Sequence, residues 1–149
     1  NAAIAKQTPL FESDDKGDFA SVMQTNVMGV WCVTKNVAQH MKKHDIHGPI
    51  INIGSINGDT IPEQEFAAYS ISKAAVIHLT KTLVGELSPH NIRNDSIRST
   101  LEKMIPLGFV AEPHDLDGVL LFLASNDSSR YVTGSCITMD GGVSWRGAK

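Results

Sequence analysis

Apolar and polar positions along the chain switch between two periods, and this switch predicts strands separated by helices. Apolar residues recur at helical spacing over 19–43 and again over 67–88. A β-branched run at 50–54 is typical of a buried parallel strand, and shorter runs at 91–97 and 131–140 also predict strands. The alternation predicts an α/β fold, a doubly wound parallel sheet with helices on both faces.

The ends of the two long helices carry recognisable signals. Ser13 or Asp18 can cap the first helix, and the basic stretch 42–44 lies where a helix C-terminus favours positive charge. Pro89 is expected to stop the second helix, because proline cannot donate the next backbone hydrogen bond.

The number of strands is small for such a sheet. Residues 1–9 add at most the end of a strand that runs into a loop, and a further helix is predicted from about 112 to 125. The chain therefore supplies three to four strands, whereas a typical sheet has about five to six. Since an unpaired parallel strand makes a poor edge, the chain is expected to form part of a larger sheet.

Composition narrows the class of protein. The 149 residues are 42% apolar and 19% charged, which is ordinary for one globular domain. The net charge of −3 is spread evenly, so nucleic acid is not an expected partner. The longest apolar run, 119–124, is far too short to span a membrane. Cys32 and Cys136 lack a Cys-x-x-Cys spacing, which predicts buried thiols in a reducing, cytoplasmic compartment.

Four polar residues are candidates for chemistry. Tyr69 and Lys73 lie at i and i+4 on a predicted helix, where a neighbouring ammonium can lower the pKa of a phenol and make it a usable acid or base. This pair alone occurs often by chance. Ser55, however, directly follows the predicted strand 50–54, and open α/β sheets place their ligands at the carboxyl ends of strands. Asn26 is a polar residue within the first long helix and needs a structural or functional reason.

Several motifs place these residues in a common context. They are Asn1-Ala2-Ala3-Ile4, Thr25-Asn26-Val27-Met28-Gly29, Ile51-Asn52-Ile53-Gly54-Ser55, Tyr69-Ser70-Ile71-Ser72-Lys73-Ala74-Ala75-Val76, Asn91-Ile92-Arg93, and Tyr131-Val132-Thr133-Gly134 through Met139-Asp140-Gly141-Gly142. In this order, and over essentially the whole chain, they resemble the short-chain dehydrogenase/reductase family. The resemblance implies a Rossmann-type sheet, of which this chain covers the later strands and helices.

The resemblance also implies an activity and roles for the four residues. The expected reaction is hydride transfer between NAD or NADP and a small carbonyl or alcohol substrate. Tyr69 would be the general acid/base and Lys73 its pKa tuner and a ligand of the nicotinamide ribose. Ser55 would polarise the substrate oxygen, and Asn26 would hold a proton-relay water near Lys73.

Further expectations follow from the same resemblance. Asn1, Ala2 and Ala3 would lie on the cofactor, together with Tyr69 and Lys73. Helices 19–43 and 67–88 would form the interface of a homodimer or homotetramer. The segments 44–52 and 101–108 are weakly similar to glucose and related sugar dehydrogenases, so a sugar, a polyol or a 3-oxoacyl compound is the expected kind of substrate.

The chain also departs from the family pattern. No glycine-rich phosphate-binding loop is present, so residues 1–149 are expected to be one domain that lacks the N-terminal cofactor-binding βαβ units. After Ile97, a Pro-Gly turn and the substrate loop of the family have no counterpart. The interval from Ser55 to Tyr69 is one residue longer than the common spacing, and Ala3 replaces a usual glycine.

Two other interpretations remain open. One is a catalytically silent fragment that acts as a dimerisation or interaction module. The other is a metal site among His40, His44 and His47. His40 and His44 lie at i and i+4, but they have no His-Glu-x-x-His pattern and no evident third ligand, so solvated histidines at a basic helix end are favoured. No metal is expected.

Overall fold

The computed structural model describes residues 2–59, 65–98, 105–107 and 109–142. Asn1 and segment 101–104, on which two of the expectations rest, lie outside the described residues.

The first helical stretch is longer and less regular than its periodicity predicts. It runs through two π-helical turns, Asp15–Phe19 and Gln24–Met28, with α1 (Ala20–Met23) between them and α2 (Gly29–Lys43) after them. Basic residues do occupy the last turn of α2, as predicted. The N-terminal cap was predicted wrongly, because the Asp14 carboxylate, and not Ser13 or Asp18, accepts from the free Lys16 N–H.

The second long helix is divided. It consists of α3 (Ala67–Thr82), a turn at Leu83, α4 (Val84–Leu87) and a 3₁₀ turn, Ser88–His90. The last α-helical residue is Leu87, next to the predicted stop at Pro89, and the proline itself fits the first turn of the 3₁₀ segment, where its missing N–H is not needed. Asn91, in the left-handed conformation, then ends the segment.

Three parallel strands form the described sheet in the order β1 (Gly48–Ile53), β2 (Ile92–Arg98) and β3 (Cys136–Thr138). β1 and β2 pair from Gly48↔Ile92 to Ile53↔Ile97. The third strand is much shorter than the predicted 131–140, because a turn containing left-handed Gly134 precedes it and the turn at Gly141 and Gly142 follows. A 3₁₀ turn, Pro113–Leu116, and α5 (Asp117–Ala124) connect β2 to β3.

A small core and a polar layer bind the helices to β1 and β2. The buried apolar cluster lies between α2, α4 and β2, and its members are Ala38, Met41, Leu83, Leu87 and Ile92. Next to it, Asn52 Nδ2 donates to Thr80 Oγ1 at 3.1 Å and to Asn94 Oδ1 at 3.0 Å. Asn94 Nδ2 in turn donates to the Thr80 carbonyl at 3.1 Å. These buried bonds fix α3 across both strands.

The surface of the described residues is apolar in places. On α2, Trp31, Val33 and Val37 are exposed, and Val33 keeps 62% of its surface. Cys32 is exposed and Cys136 is half-buried, so the expectation of two buried thiols is wrong. In the part of the chain that the structure describes, no helix has the length and hydrophobicity needed to cross a membrane.

Candidate active site

Ser55 lies just beyond the carboxyl end of β1. It is buried in extended conformation and caps the 3₁₀ turn Ile56–Gly58, where its Oγ accepts from the Asn57 N–H at 3.2 Å. We call Ser55 and this turn, residues 55–58, the serine turn. Because the strand fixes one end and the turn closes at once through a bond from the Gly58 N–H to the Ser55 carbonyl, the hydroxyl has a defined position.

Tyr69 and Lys73 occupy successive turns of α3. The Lys73 side chain turns towards β1 and its Nζ donates to the Ile53 carbonyl at 3.0 Å. The same Nζ is 5.7 Å from the centroid of the half-buried Tyr69 ring. One ammonium therefore links the end of β1 to the face of the phenol, as the i, i+4 spacing predicts.

Burial sets the electrostatics of this pair. Lys73 is only 5% exposed, and desolvation lowers the pKa of its ammonium from the ordinary value. No described carboxylate forms an ion pair with Lys73. The Lys73 ammonium therefore lies beside the half-buried Tyr69 ring, in a setting where water screens its charge only in part.

Asn26 acts here as a clamp on the N-terminal segment. Its Oδ1 accepts from the Ile4 N–H and its Nδ2 donates to the Ile4 carbonyl, both at 2.8 Å. Nδ2 also donates to Ser72 Oγ at 2.9 Å. These bonds use both amide protons, and they explain why a buried amide lies within a helical stretch, at the π-helical turn Gln24–Met28.

Ser72 is the site residue that the sequence analysis missed. It is completely buried, and its Oγ donates to the Tyr69 carbonyl at 2.7 Å while accepting from Asn26. A chain of hydrogen bonds thus runs from Ile4 through Asn26 and Ser72 to the turn of α3 that carries Tyr69. The signal in the sequence was the Ser72 hydroxyl itself, three residues after Tyr69. Its partner Asn26 lies 46 positions away, so the sequence does not indicate that the two are bonded.

The residues expected on the cofactor are only partly described. Ala2 and Ala3 are exposed and directly precede the clamped Ile4. Ala2 also lines a groove with Thr25, Gly29 and Asn52 on the open side of β1. The structure therefore brings Asn26, Ser72, Tyr69 and Lys73 together at the end of β1, with residues 2–4 beside them.

The described residues hold no cluster of three or more metal-ligating side chains. His40 and His44 stack with ring centroids 4.4 Å apart, and His47 is bonded to the Asp45 carboxylate.

Comparison with known proteins identifies the family. Over residues 1–101 the chain matches the family model described as short chain dehydrogenase. The chain belongs to this family. A second model, described as enoyl-(acyl carrier protein) reductase, matches residues 93–144 of the same chain. The resemblance drawn from the motifs is confirmed.

Curated relatives cover the same part of the family. The chain is 33% identical to 3beta-hydroxysteroid dehydrogenase 1 of Eggerthella lenta over 164 residues, covering 96% of this chain and 61% of the relative. It is 35% identical to the 3-oxoacyl-(acyl-carrier-protein) reductase FabG of Thermotoga maritima over 160 residues, with 96% and 63% covered. The chain thus spans less than two thirds of the length of these relatives.

Solved structures confirm the Rossmann-type parallel fold. A short-chain dehydrogenase/reductase from Mycobacterium marinum superimposes with a TM-score of 0.90 at 38% identity, covering 96% of this chain and 61% of that one. A gluconate 5-dehydrogenase from Burkholderia cenocepacia, in complex with NADP and tartrate, gives 0.90 at 28% identity, with 97% and 63% covered. A 4-hydroxyisoleucine dehydrogenase complexed with NADH and succinate gives 0.90 at 33% identity, with 97% and 66% covered.

Proposed function

We propose that this protein is an NAD(P)-dependent oxidoreductase that interconverts a carbonyl compound and an alcohol. The observation that carries the proposal is the buried Lys73 ammonium, which is bonded to the end of β1 and lies beside the Tyr69 ring. A phenol beside a buried ammonium is suited to general acid–base catalysis, because the positive charge stabilises the negative charge that develops on the phenol oxygen in the transition state.

The described side chains support a division of roles. Tyr69 gives its phenolic proton to the substrate oxygen in reduction and takes it back in oxidation. Ser55 donates a hydrogen bond to the same oxygen, and Lys73 steadies the charge that develops on Tyr69. Asn26 and Ser72 hold the backbone on which Tyr69 sits, and Asn26 remains the expected anchor of a relay water near Lys73.

The residues at this edge fit a nicotinamide cofactor. Ile53 accepts one of the three ammonium protons of Lys73, which leaves two for a ribose hydroxyl. Tyr69 and Lys73 would hold the nicotinamide ribose, and residues 1–3 would lie towards the adenosine side. The bound cofactor, NAD or NADP, supplies or accepts the hydride. Relatives crystallised with NADP and with NADH support this assignment without choosing between the two.

We infer a small carbonyl or alcohol substrate, with a sugar, a polyol or a 3-oxoacyl compound as the candidates to test. A relative named for the sugar acid gluconate and one named for 3-oxoacyl-(acyl-carrier-protein) support the first and the last of these candidates, and one named for a hydroxysteroid adds a fourth. We also place the enzyme in a reducing cytoplasm, in keeping with two free cysteines.

We further propose that the active enzyme includes more sheet than the described strands. Among these strands β1 pairs only with β2, and its open side borders an apolar groove that Val33, Val37 and Ile50 line. A parallel strand with such an edge is suited to further pairing. The cofactor-binding βαβ units would continue the sheet there. The aligned spans of 164 and 160 residues exceed the 149 of this chain, which supports an additional internal segment in the relatives.

Self-association through the long helices completes the proposal. Trp31 on α2 and Ile71 on α3 expose apolar surface outside that groove, which favours a homodimer or homotetramer through helices 19–43 and 67–88.

Tyr69→Phe tests the proposed function directly. The substitution keeps the ring but removes the proton, so turnover should fall by about 10²- to 10⁴-fold while cofactor affinity changes little. The measurement is NADH- and NADPH-linked turnover over a panel of sugars, polyols and 3-oxoacyl thioesters, with fluorescence titration of both cofactors. Tyr131→Phe is the matched control, since Tyr131 is fully exposed and outside the site.

The outcomes separate the two interpretations. Turnover that survives Tyr69→Phe would contradict the role of Tyr69. Absence of both turnover and cofactor binding in the natural protein, together with a stable dimer by light scattering, would favour the silent interaction module instead.

A further inference from the structure

The serine turn is seated directly on the backbone of α3. A methyl group at Gly58 would lie 2.6 Å from the carbonyl carbon of Lys73 and 2.7 Å from the backbone nitrogen of Ala74. It would also lie 2.8 Å from Ile77 Cδ1. Side chains do not tolerate contacts this short, and two of the three atoms belong to a helix backbone that cannot rotate away.

This contact joins the part of the site that carries Ser55 to the part that carries Tyr69 and Lys73. On one side, Gly58 closes the turn whose first residue is Ser55, through its own N–H. On the other side, it touches the turn of α3 that begins at Lys73, one turn after Tyr69. The distance between the Ser55 hydroxyl and Tyr69 is therefore set by how closely the serine turn approaches α3, and a glycine permits the shortest approach.

The hydrogen bond of Lys73 explains why the serine turn must lie close to α3. Lys73 Nζ reaches the Ile53 carbonyl at 3.0 Å, two residues before Ser55. A serine turn displaced outwards would carry the end of β1 with it and lengthen this bond. Ordinary turn chemistry does not require a glycine here, since the structure places no positive φ at Gly58, unlike Gly134, Gly141 and Gly142.

We propose that Gly58 is a positioning residue for catalysis, because its missing side chain lets the serine turn contact α3 and so sets Ser55 relative to Tyr69 and Lys73. The inference rests on the proposed function and assigns it a further residue. Gly58 itself touches no substrate; it acts through Ser55.

Gly58→Ala is the direct test, on the protein expressed from its natural gene. A displacement of about 1 Å at the reacting groups lowers the rate up to about 100-fold, so kcat should fall by about 10- to 100-fold while the dissociation constant of the cofactor stays within about twofold. Gly85→Ala is the matched control, because a methyl group there meets nothing within 4 Å. It should leave kcat unchanged.

A double-mutant cycle separates positioning from general damage. In a Ser55→Ala background the hydroxyl is gone, so adding Gly58→Ala should cost less than about twofold more, because residues that act as a unit are not additive. An equal loss in both backgrounds would overturn the proposal. If Ser55→Ala and Tyr69→Phe both keep full activity, the proposed function itself fails, which is a different result.

Ile77→Leu provides the gentler variant in case Gly58→Ala does not fold. Ile77 abuts Gly58, and a volume-conserving change in a core is usually tolerated by the fold. Moving its branch should press on the serine turn and lower kcat a few-fold, and this loss too should vanish in the Ser55→Ala background. A loss of kcat that persists without the Ser55 hydroxyl would contradict the proposal.

Discussion

The two faces of β2 bury polar side chains at adjacent positions, but only one of these side chains has its hydrogen bonds satisfied. Asn94 faces α3 and Asp95 faces the α5 side, and both are completely buried. Asn94 donates to the Thr80 carbonyl and accepts from Asn52. Among the described residues, neither oxygen of Asp95 makes a hydrogen bond of ordinary geometry. The same strand thus carries one satisfied and one unsatisfied polar group.

The difference comes from what each side chain can offer. An amide both donates and accepts, so Asn94 matches a carbonyl and another amide at once. A carboxylate only accepts, and the nearby side-chain donor, Arg93, donates its hydrogen bonds to other groups. Its NH1 donates to Ser129 Oγ at 2.6 Å and its NH2 to the Leu123 carbonyl at 2.8 Å, which leaves it 3.8 Å from Asp95.

This comparison shows which face of β2 stabilises the fold and which face lowers its stability. The face with the neutral network is the face that holds α3, and α3 carries Tyr69 and Lys73. Burial raises the pKa of the Asp95 carboxyl, while the Ser135 backbone amide and Arg93 act in the opposite direction. The charge of Asp95 therefore lies on the α5 face of β2, away from the candidate active site, and its burial there lowers the stability of the fold.

Asn94→Ala should have the largest effect, because it breaks the satisfied face. The change removes both bonds of the side chain, leaves the Thr80 carbonyl without this donor and opens a cavity. The free energy of unfolding should fall by about 3 kcal/mol, measured by urea denaturation. Asn36→Ala is the control: Asn36 is exposed and bonded only within its own helix, to the Cys32 carbonyl. A loss below about 1 kcal/mol for Asn94→Ala would contradict the role of the network.

The sequence predicts the order of the long helices and of β1, β2 and β3, and the helix that carries Tyr69 and Lys73, although the expected strand end before Leu10 is absent from the described residues 2–9. These features are local: periodicity within a window marks a helix, and the i, i+4 spacing places Lys73 near Tyr69. The same local signals fail at irregularities, such as the π-helical turns before α2 and the break at Leu83, where packing overrides periodicity.

The supporting contacts of the site could not be predicted. Asn26 meets Ile4 across 22 positions and Ser72 across 46, and Gly58 meets α3 across a loop. No period in the chain encodes such pairs, since they depend on how elements pack. The 3.8 Å separation of Arg93 and Asp95 depends in the same way on packing, because Ser129 and the Leu123 carbonyl, which lie 36 and 30 positions away, take the Arg93 hydrogen bonds.

Asp95→Asn should have an intermediate effect, and it should raise the free energy of unfolding instead of lowering it. Because the folded state raises the pKa of Asp95, the folded protein binds this proton more tightly than the unfolded chain does. Stability therefore decreases as pH rises from the ordinary carboxyl value of 3.8 through the raised value, and the full penalty applies above it. The asparagine variant removes the charge, and should gain about 2 kcal/mol at pH 7.

The pH dependence of that gain is the decisive readout. Unfolding free energies measured from pH 4 to pH 8 should show the gain shrinking towards acid, where Asp95 is already protonated. Asp127→Asn removes an exposed acid and should change stability by less than about 0.5 kcal/mol at every pH. A loss at pH 7 would show that Arg93 does compensate the charge, whereas a gain that is independent of pH would show that the charge is not its cause.

Thr80→Val should have the smallest effect, and it isolates one bond of the satisfied face. Its Oγ1 donates back to the Val76 carbonyl at 2.9 Å and accepts from Asn52. Valine keeps the shape, and Asn52 keeps its bond to Asn94, so the free energy of unfolding should fall by only about 1 kcal/mol.

Thr82 provides the control. It makes a similar hydrogen bond back to the His78 carbonyl, but it is exposed and bonds no strand. Thr82→Val should therefore be nearly neutral, and the difference between the two variants in urea denaturation measures the contact with Asn52 alone. Equal losses would mean that the helix back-bond, and not the link to the sheet, accounts for the effect, and the contrast between the two faces of β2 would then rest on Asn94 alone.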